Sequence, residues 1–147
     1  KIKYQKEIVE KVEINPEALE IVIYLKNKNI PVAIISSGEI DYVKAVADQL
    51  KIKIFKVNTY FRFNQTGKFV RMDFHTEDPI AKIDQVKEIC QQFDCSPEET
   101  IFVGDSDNDL MAFGLTKHGV LYKTEDEKCV KAAWKTIEDL NELKNII

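Results

Sequence analysis

The chain has 147 residues, a net charge of −4 and an apolar content of 44%, values typical of one globular domain. Its lysines and arginines form no one-sided basic run, so nucleic acid is not an expected partner. No apolar stretch approaches the roughly 20 residues that cross a bilayer, and the charged opening segment does not resemble a signal peptide. The three cysteines, at 90, 95 and 129, form no C-x-x-C pair, which predicts reduced thiols in a cytoplasmic protein.

The first half of the chain alternates between helical and strand-like patterns. Apolar residues at helical spacing predict helices, and β-branched or alternating runs predict strands. In chain order we predict a helix over 17–28, a strand over 30–38, a helix over 39–50, a strand over 51–57 and a hairpin over 60–72. The polar residues from Asn64 to Gly67 are typical of the turn of such a hairpin.

The second half continues the alternation. We predict a helix over 79–93, a strand over 100–105, a helix from 107, a short strand over 119–122 and a last helix near the end. Asp78 before Pro79 is typical of a cap followed by a first helical turn. Thr136 with Asp139 resembles a capping box that would open the last helix.

Strands that alternate with helices at this spacing predict a mostly parallel sheet with helices on its faces. In such open sheets, ligands bind just beyond the carboxyl ends of the strands. Two unusual polar segments, Ser36-Ser37-Gly38 and Gly104-Asp105, lie at strand ends of this kind. We therefore expect them at one ligand-binding edge.

Three carboxylates, Asp105, Asp107 and Asp109, lie within five residues and would repel one another unless a cation or hydrogen-bond donors offset the cost. A calcium EF-hand loop would need glycine and an acid where Leu110 and Thr116 stand, so that interpretation fails. Asp107 is better explained by the dipole at a helix N-terminus. Asp105, directly after a strand and a glycine, suits Mg²⁺, and Asp109 is either a second ligand or an anchor for a lysine.

The sequence lacks the motifs of several other catalytic and nucleotide-binding sites. The sequence contains no cysteine-phosphatase loop, no G-x-S-x-G elbow and no Walker glycine loop. His75 and His118 are far apart in sequence, and we expect both at the surface. Tyr60, Phe61 and Phe63 fit a packed hairpin face better than a base-stacking platform.

The segments "AIISSG" and "VGDSDND", with a lysine-bearing helix between them, resemble the haloacid dehalogenase (HAD) superfamily of hydrolases, and most closely its phosphoserine-phosphatase-like branch. The resemblance extends over nearly the whole chain. It implies a Rossmann-like three-layer α/β sandwich with a mostly parallel sheet and a β-hairpin insertion. Residues 1–147 would form one core domain, in which 1–15 are a remnant of the cap region or an approach from it.

The resemblance also implies roles for the polar residues. Ser36 looks like the family's second motif, which holds the phosphoryl group, with Ser37 and Gly38 beside it. We prefer Ser36 to Ser37 as the hydroxyl donor and leave the alternative open. Lys82 looks like the third motif, whose charge neutralises phosphoryl oxygens. Lys87 is the poorer candidate because it lies deeper in the helix.

The "GDSDND" segment looks like the family's fourth motif. Asp105 would hold the Mg²⁺ cofactor, Asn108 would bind near the substrate, and Asp109 would be a second ligand or would hold Lys82 in place. The expected substrate is a small phosphorylated metabolite, with neither nucleic acid nor membrane as a partner.

One motif of the family is missing from this sequence. The nucleophile is an aspartate in a D-x-D-x-T/V pattern on a first strand, and no such strand precedes residue 30. The fold is therefore expected to be incomplete at its N-terminus. One interpretation is a large fragment of a Mg²⁺-dependent phosphatase whose nucleophile segment is cleaved away, lies on a separate N-terminal polypeptide or lies outside the given sequence, so that this chain alone is inactive. The alternative is a non-catalytic phosphate- or metal-binding regulatory module.

Overall fold

A computed structural model describes all 147 residues. The helices are α1 (Ile2–Lys11), α2 (Pro16–Asn27), α3 (Ile40–Leu50), α4 (Asp78–Phe93), α5 (Leu110–Thr116) and α6 (Glu127–Ala132). The strands are β1 (Ala33–Glu39), β2 (Ile54–Phe63), β3 (Phe69–Phe74), β4 (Phe102–Gly104), β5 (Gly119–Tyr122) and β6 (Lys135–Ile137). Short 3₁₀ turns occupy Pro97–Glu99, Asp107–Asp109 and Leu140–Asn145.

The second predicted strand and the first arm of the hairpin are one long strand, β2. Its first half pairs in parallel with β1, with Val57 opposite Ser36. Its second half pairs antiparallel with β3, with Met72 opposite Phe61. Gly67, at φ 78°, makes the predicted turn because glycine adopts this left-handed conformation without strain. The hairpin therefore extends directly from the carboxyl end of β2.

The strands form two three-stranded sheets, in the orders β1-β2-β3 and β4-β5-β6. Every pair except β2-β3 is parallel, which confirms the prediction of a mostly parallel α/β fold. No ladder joins β1 to β4. One edge of β1 and one edge of β4 are therefore unpaired.

Helices on opposite faces hold the two sheets side by side. On one face, a cluster around Val86 of α4 packs against both Ile35 of β1 and Phe102 of β4. On the other, Ile21 of α2 packs against the second sheet, and its neighbour Val22 packs against the first. The free edges of β1 and β4 consequently face each other between α2 and α4. We call this region the β1–β4 gap.

Two predicted caps are wrong. The residue at the cap of α4 is Glu77, and Asp78 is already helical; its carboxylate accepts a hydrogen bond from Asn58 instead. Thr136 lies in β6, opposite Leu121 of β5, and does not start a helix. The backbone ladder with β5 therefore prevails over the local capping pattern at Thr136.

The final turn, Leu140–Asn145, is capped by Asp139 together with Glu142, so the true capping box begins three residues after Thr136. None of the helices is long and apolar enough to cross a membrane. All three cysteines are free thiols, as predicted. The cytoplasmic location that their spacing suggested stays a prediction.

Candidate active site

A buried ion pair joins α4 to the turn that follows β4. The ammonium of Lys82 donates to Oδ1 of Asp109 over 2.6 Å, and the two side chains are 10% and 5% exposed. Oδ2 of Asp109 accepts the backbone N–H groups of Asp105 and Ser106 and the Ser106 hydroxyl. The carboxylate is thus compensated on both oxygens, as a buried charge requires.

Gly104 lets this carboxylate approach the end of β4. A Cβ atom added at Gly104 would lie within 3.0 Å of the Asp109 side chain. Glycine is therefore required here by the close approach of a side chain. The resulting contact fixes the turn that carries Asp105.

Asp105 and Asp107 remain exposed. The backbone N–H of Asp105 is hydrogen-bonded to Asp109, whereas the Asp105 carboxylate has no partner in the chain. Because Lys82 offsets the charge of Asp109, the neighbouring carboxylates carry an uncompensated negative charge at the strand end. Asn108, which is half-buried, lies between them in sequence.

The chain contains no group of three or more histidine, cysteine, aspartate or glutamate side chains that could hold a metal. Mg²⁺ commonly takes only one or two protein carboxylates and fills its shell with water and substrate phosphate. The free carboxylate of Asp105 fits such a ligand. Both oxygens of Asp109 are already hydrogen-bonded, so its assignment as a metal ligand stays a prediction.

Ser36, Ser37 and Gly38 lie within β1, where the ladder to β2 shifts register between Ser36 and Glu39. The Ser36 hydroxyl oxygen accepts the Gly38 N–H over 3.0 Å, which leaves its O–H free to donate. The Ser37 carbonyl accepts the Thr59 hydroxyl over 2.7 Å. Both serine hydroxyls thus retain a free donor, and the choice between Ser36 and Ser37 stays open.

The start of α4 lies between these two strand ends. Asn58, one residue beyond the ladder partner of Ser36, donates to Asp78 and to the Thr76 carbonyl over 2.7 Å each. One turn later along α4, Lys82 binds Asp109 beyond β4. The first turns of α4 therefore connect the carboxyl ends of β1–β2 and β4. Lys82 lies at this edge, and its predicted role in binding a phosphoryl group stays a prediction.

Sequence reasoning missed the residues that position this edge. Asn58 is 3% exposed and also accepts the His75 N–H. Its signals in the sequence are its place directly after the predicted strand over 51–57 and the resemblance of this segment to an asparagine-containing strand of the HAD superfamily. Ser106 and Asp109 form a reciprocal capping box, and that spacing was visible in the sequence. Lys87, the poorer lysine candidate, is exposed.

The other aromatic and histidine predictions have mixed outcomes. Phe61 and Phe63 pack against Phe69 and Tyr4, with ring centroids 5.2 to 6.3 Å apart, which confirms a packed hairpin face. His75 is exposed, as predicted. His118 is half-buried, with its ring edge-on to a tryptophan at 4.9 Å, so the surface prediction is wrong for this residue.

The chain belongs to the haloacid dehalogenase-like hydrolase family, whose family model matches residues 1–114. Within that family it is similar to phosphoserine phosphatases, which confirms the predicted branch. Phosphoserine phosphatase of Saccharomyces cerevisiae is 28% identical over 131 residues, which are 86% of this chain and 41% of that protein.

Solved structures agree on the fold. A phospho-aspartyl intermediate analogue of phosphoserine phosphatase aligns with a TM-score of 0.83 at 22% identity, covering 95% of this chain and 66% of that one. A probable phosphoserine phosphatase from Vibrio cholerae aligns with a TM-score of 0.74 at 24% identity, covering 91% of this chain and 41% of that one. The chain therefore spans less than two thirds of the length of these relatives.

Proposed function

We propose that this chain forms a large fragment of a Mg²⁺-dependent phosphomonoester hydrolase. The observation that carries the proposal is the buried Lys82–Asp109 pair at the strand ends. Burial of a lysine is costly, and one ion-pair hydrogen bond leaves further N–H donors on its ammonium. A fixed positive charge of this kind is what phosphoryl transfer uses to offset the oxygens of the phosphoryl group.

We assign the remaining roles from the polar atoms of each residue that have no partner within the chain. The Ser36 hydroxyl donates to a phosphoryl oxygen, with the Ser37 backbone N–H beside it. Asp105 holds Mg²⁺, which supplies further charge neutralisation when bound. Asn108 contacts the substrate, and Asp109 orients Lys82.

The nucleophile comes from outside these residues. We infer that a strand carrying an aspartate fills the β1–β4 gap, because a parallel strand there would satisfy both free edges and end beside Ser36, Lys82 and Asp105. Two observations support this: Val103 of β4 is 37% exposed, and β1 is only half-buried up to Gly38, whereas strands inside a parallel sheet are normally buried on both faces.

The substrate is a small phosphorylated metabolite, and the similarity to phosphoserine phosphatases supports phosphoserine as the first compound to assay. Neither nucleic acid nor a membrane is proposed as a partner, in keeping with the net charge of −4. The free cysteines support a cytoplasmic location.

The test begins with denaturing mass spectrometry of the purified protein, followed by phosphate release from phosphoserine with and without Mg²⁺. We expect an Asp-x-Asp strand, on the same polypeptide or on a second one, wherever activity is found, and no turnover by these 147 residues alone. In the active complex, Asp105→Asn should abolish turnover. Near-wild-type activity of that variant would refute the metal-ligand assignment. Phosphate binding without turnover in a complex that contains the strand would instead favour a regulatory module.

A further inference from the structure

The outer edge of the hairpin strand β3 is unusually apolar for a free edge. β3 is the last strand of its sheet, and four of its six residues are large, exposed hydrophobic residues: Phe69 at 56%, Val70 at 58%, Met72 at 50% and Phe74 at 62%. Proteins usually protect such edges with lysine, proline or a covering element, because the free N–H and C=O groups recruit other strands. β3 contains no lysine or proline and no other element covers it, although it carries the charged residues Arg71 and Asp73 and a register shift near its start.

We propose that the β3 edge binds the β3 edge of a second copy of this chain, in antiparallel register about a twofold axis through Met72. This pairing would join two three-stranded sheets into one six-stranded sheet. Strand addition of this kind takes its affinity from backbone hydrogen bonds and its specificity from the facing side chains. The interaction is independent of the proposed activity.

Charge complementarity selects both the partner and the register. Residues directly opposite in an antiparallel pair share a face, so a twofold axis normal to the sheet must pass through one residue of β3. With the axis at Met72, Arg71 of one copy lies opposite Asp73 of the other, and this favourable pair occurs twice. An axis at Arg71 would oppose two arginines, and an axis at Asp73 would oppose two aspartates, both of which are unfavourable.

The same register aligns the apolar residues. Val70 of one copy would lie opposite Phe74 of the other, and Met72 opposite Met72. The two copies would thus form a continuous apolar row on one face and a charged cluster on the other. In the single chain Arg71 and Asp73 already share the charged face, with Nε and Oδ1 2.7 Å apart.

Charge reversal can test this pairing with its own control. Arg71→Asp places two aspartates opposite each other, and Asp73→Arg places two arginines opposite each other. Each variant alone should dimerise at least about tenfold more weakly than wild type. A mixture of the two variants restores opposite charges across both contacts, so it should form a heterodimer. Effects on the fold of either single chain cannot explain that recovery.

The measurement is sedimentation velocity between roughly 1 and 100 μM, because dimerisation follows mass action. Lys53→Asp, an exposed site at the far end of β2, makes the same charge change as Arg71→Asp and should leave the dimer intact. Circular dichroism confirms that each variant is folded. The proposal is overturned if the wild-type chain stays monomeric or if the mixture dimerises no more strongly than either variant alone. It is also overturned if the single variants dimerise normally, a result that association through the β1–β4 gap would explain.

Discussion

The Lys82–Asp109 ion pair has a structural role beside the catalytic one that we propose for it. It is the most buried of the nine ion pairs in the chain, and it ties α4 to the turn after β4. Removing one partner of such a pair leaves the other buried and uncompensated, whereas removing both can cost little.

Asp109→Asn should therefore lower the free energy of unfolding by about 2 to 4 kcal/mol in urea titrations. Adding Lys82→Met to this variant should recover part of the loss. Glu127→Gln is the matched control, because its pair with Lys131 is 78% and 87% exposed, and it should change stability by less than about 0.5 kcal/mol. A loss below about 1 kcal/mol for Asp109→Asn would contradict the assigned role of the pair.

A second prediction concerns Gly104, which lies against the Asp109 side chain. Gly104→Ala forces the Asp109 carboxylate away from β4 and should cost about 1 to 3 kcal/mol by thermal or urea unfolding. Gly114→Ala in α5 is the matched control, since its added methyl group meets nothing within 4 Å. That control should be stabilising by about 0.5 to 1 kcal/mol. Equal effects of the two substitutions would rule out the close approach as the reason for Gly104.

At the scale of elements, α1 is attached to the rest of the fold by a tyrosine. The Tyr4 hydroxyl donates to Oε2 of Glu39 over 3.0 Å, and the same oxygen accepts the Asp41 N–H at the start of α3. Burial, followed by the hydrogen bond to Glu39, raises the pKa of Tyr4 to about 12 from 10.0. The folded state therefore favours the neutral phenol.

The raised pKa of Tyr4 predicts that its contribution to folding stability falls as the pH rises in the alkaline range. Because the folded pKa lies above the unfolded one, the contribution of Tyr4 to stability is complete below pH 10 and is lost as the pH rises toward about 12. The stability difference between wild type and Tyr4→Phe should shrink across that interval. Thermal melts at a series of pH values measure it, with Tyr42→Phe, which removes an exposed phenol, as control. A constant difference would refute the prediction.

Some helices and strands could be predicted from sequence patterns alone. Helices α2 and α3 and strand β5 match their predictions closely, because a full apolar face or an uninterrupted apolar run specifies each one. β6 was missed because three residues, Lys135–Ile137, are too few to show a period. β2 was divided in two because its partners change from parallel to antiparallel midway, which is information that only the tertiary fold contains.

For the whole molecule, the alternation of strands and helices was sufficient to predict that the carboxyl ends of β1 and β4 lie at one edge, since parallel strands present these ends together. That Ser36, Lys82 and Asp105 meet there stays a prediction. The sequence indicated Gly104 at that edge but not the close approach of Asp109 that requires a glycine there. It did not indicate the role of Asn58, because the partners of Asn58 lie 17 to 20 residues away in the chain. The division into two sheets is likewise a property of the assembled fold, in which α2 and α4 hold the free edges in place.

We propose that Ser36, Lys82 and Asp105 form one phosphoryl-binding site. The most direct measurement is an NMR titration of the ¹⁵N-labelled chain with inorganic phosphate, with and without Mg²⁺. The backbone amide signals report which residues bind phosphate. We expect saturable shifts at residues 36–38 and 105–108, strengthened by Mg²⁺ and lost in Ser36→Ala and Lys82→Ala variants that remain folded. Absent shifts at both segments, or shifts that persist unchanged in the folded variants, would contradict the claim.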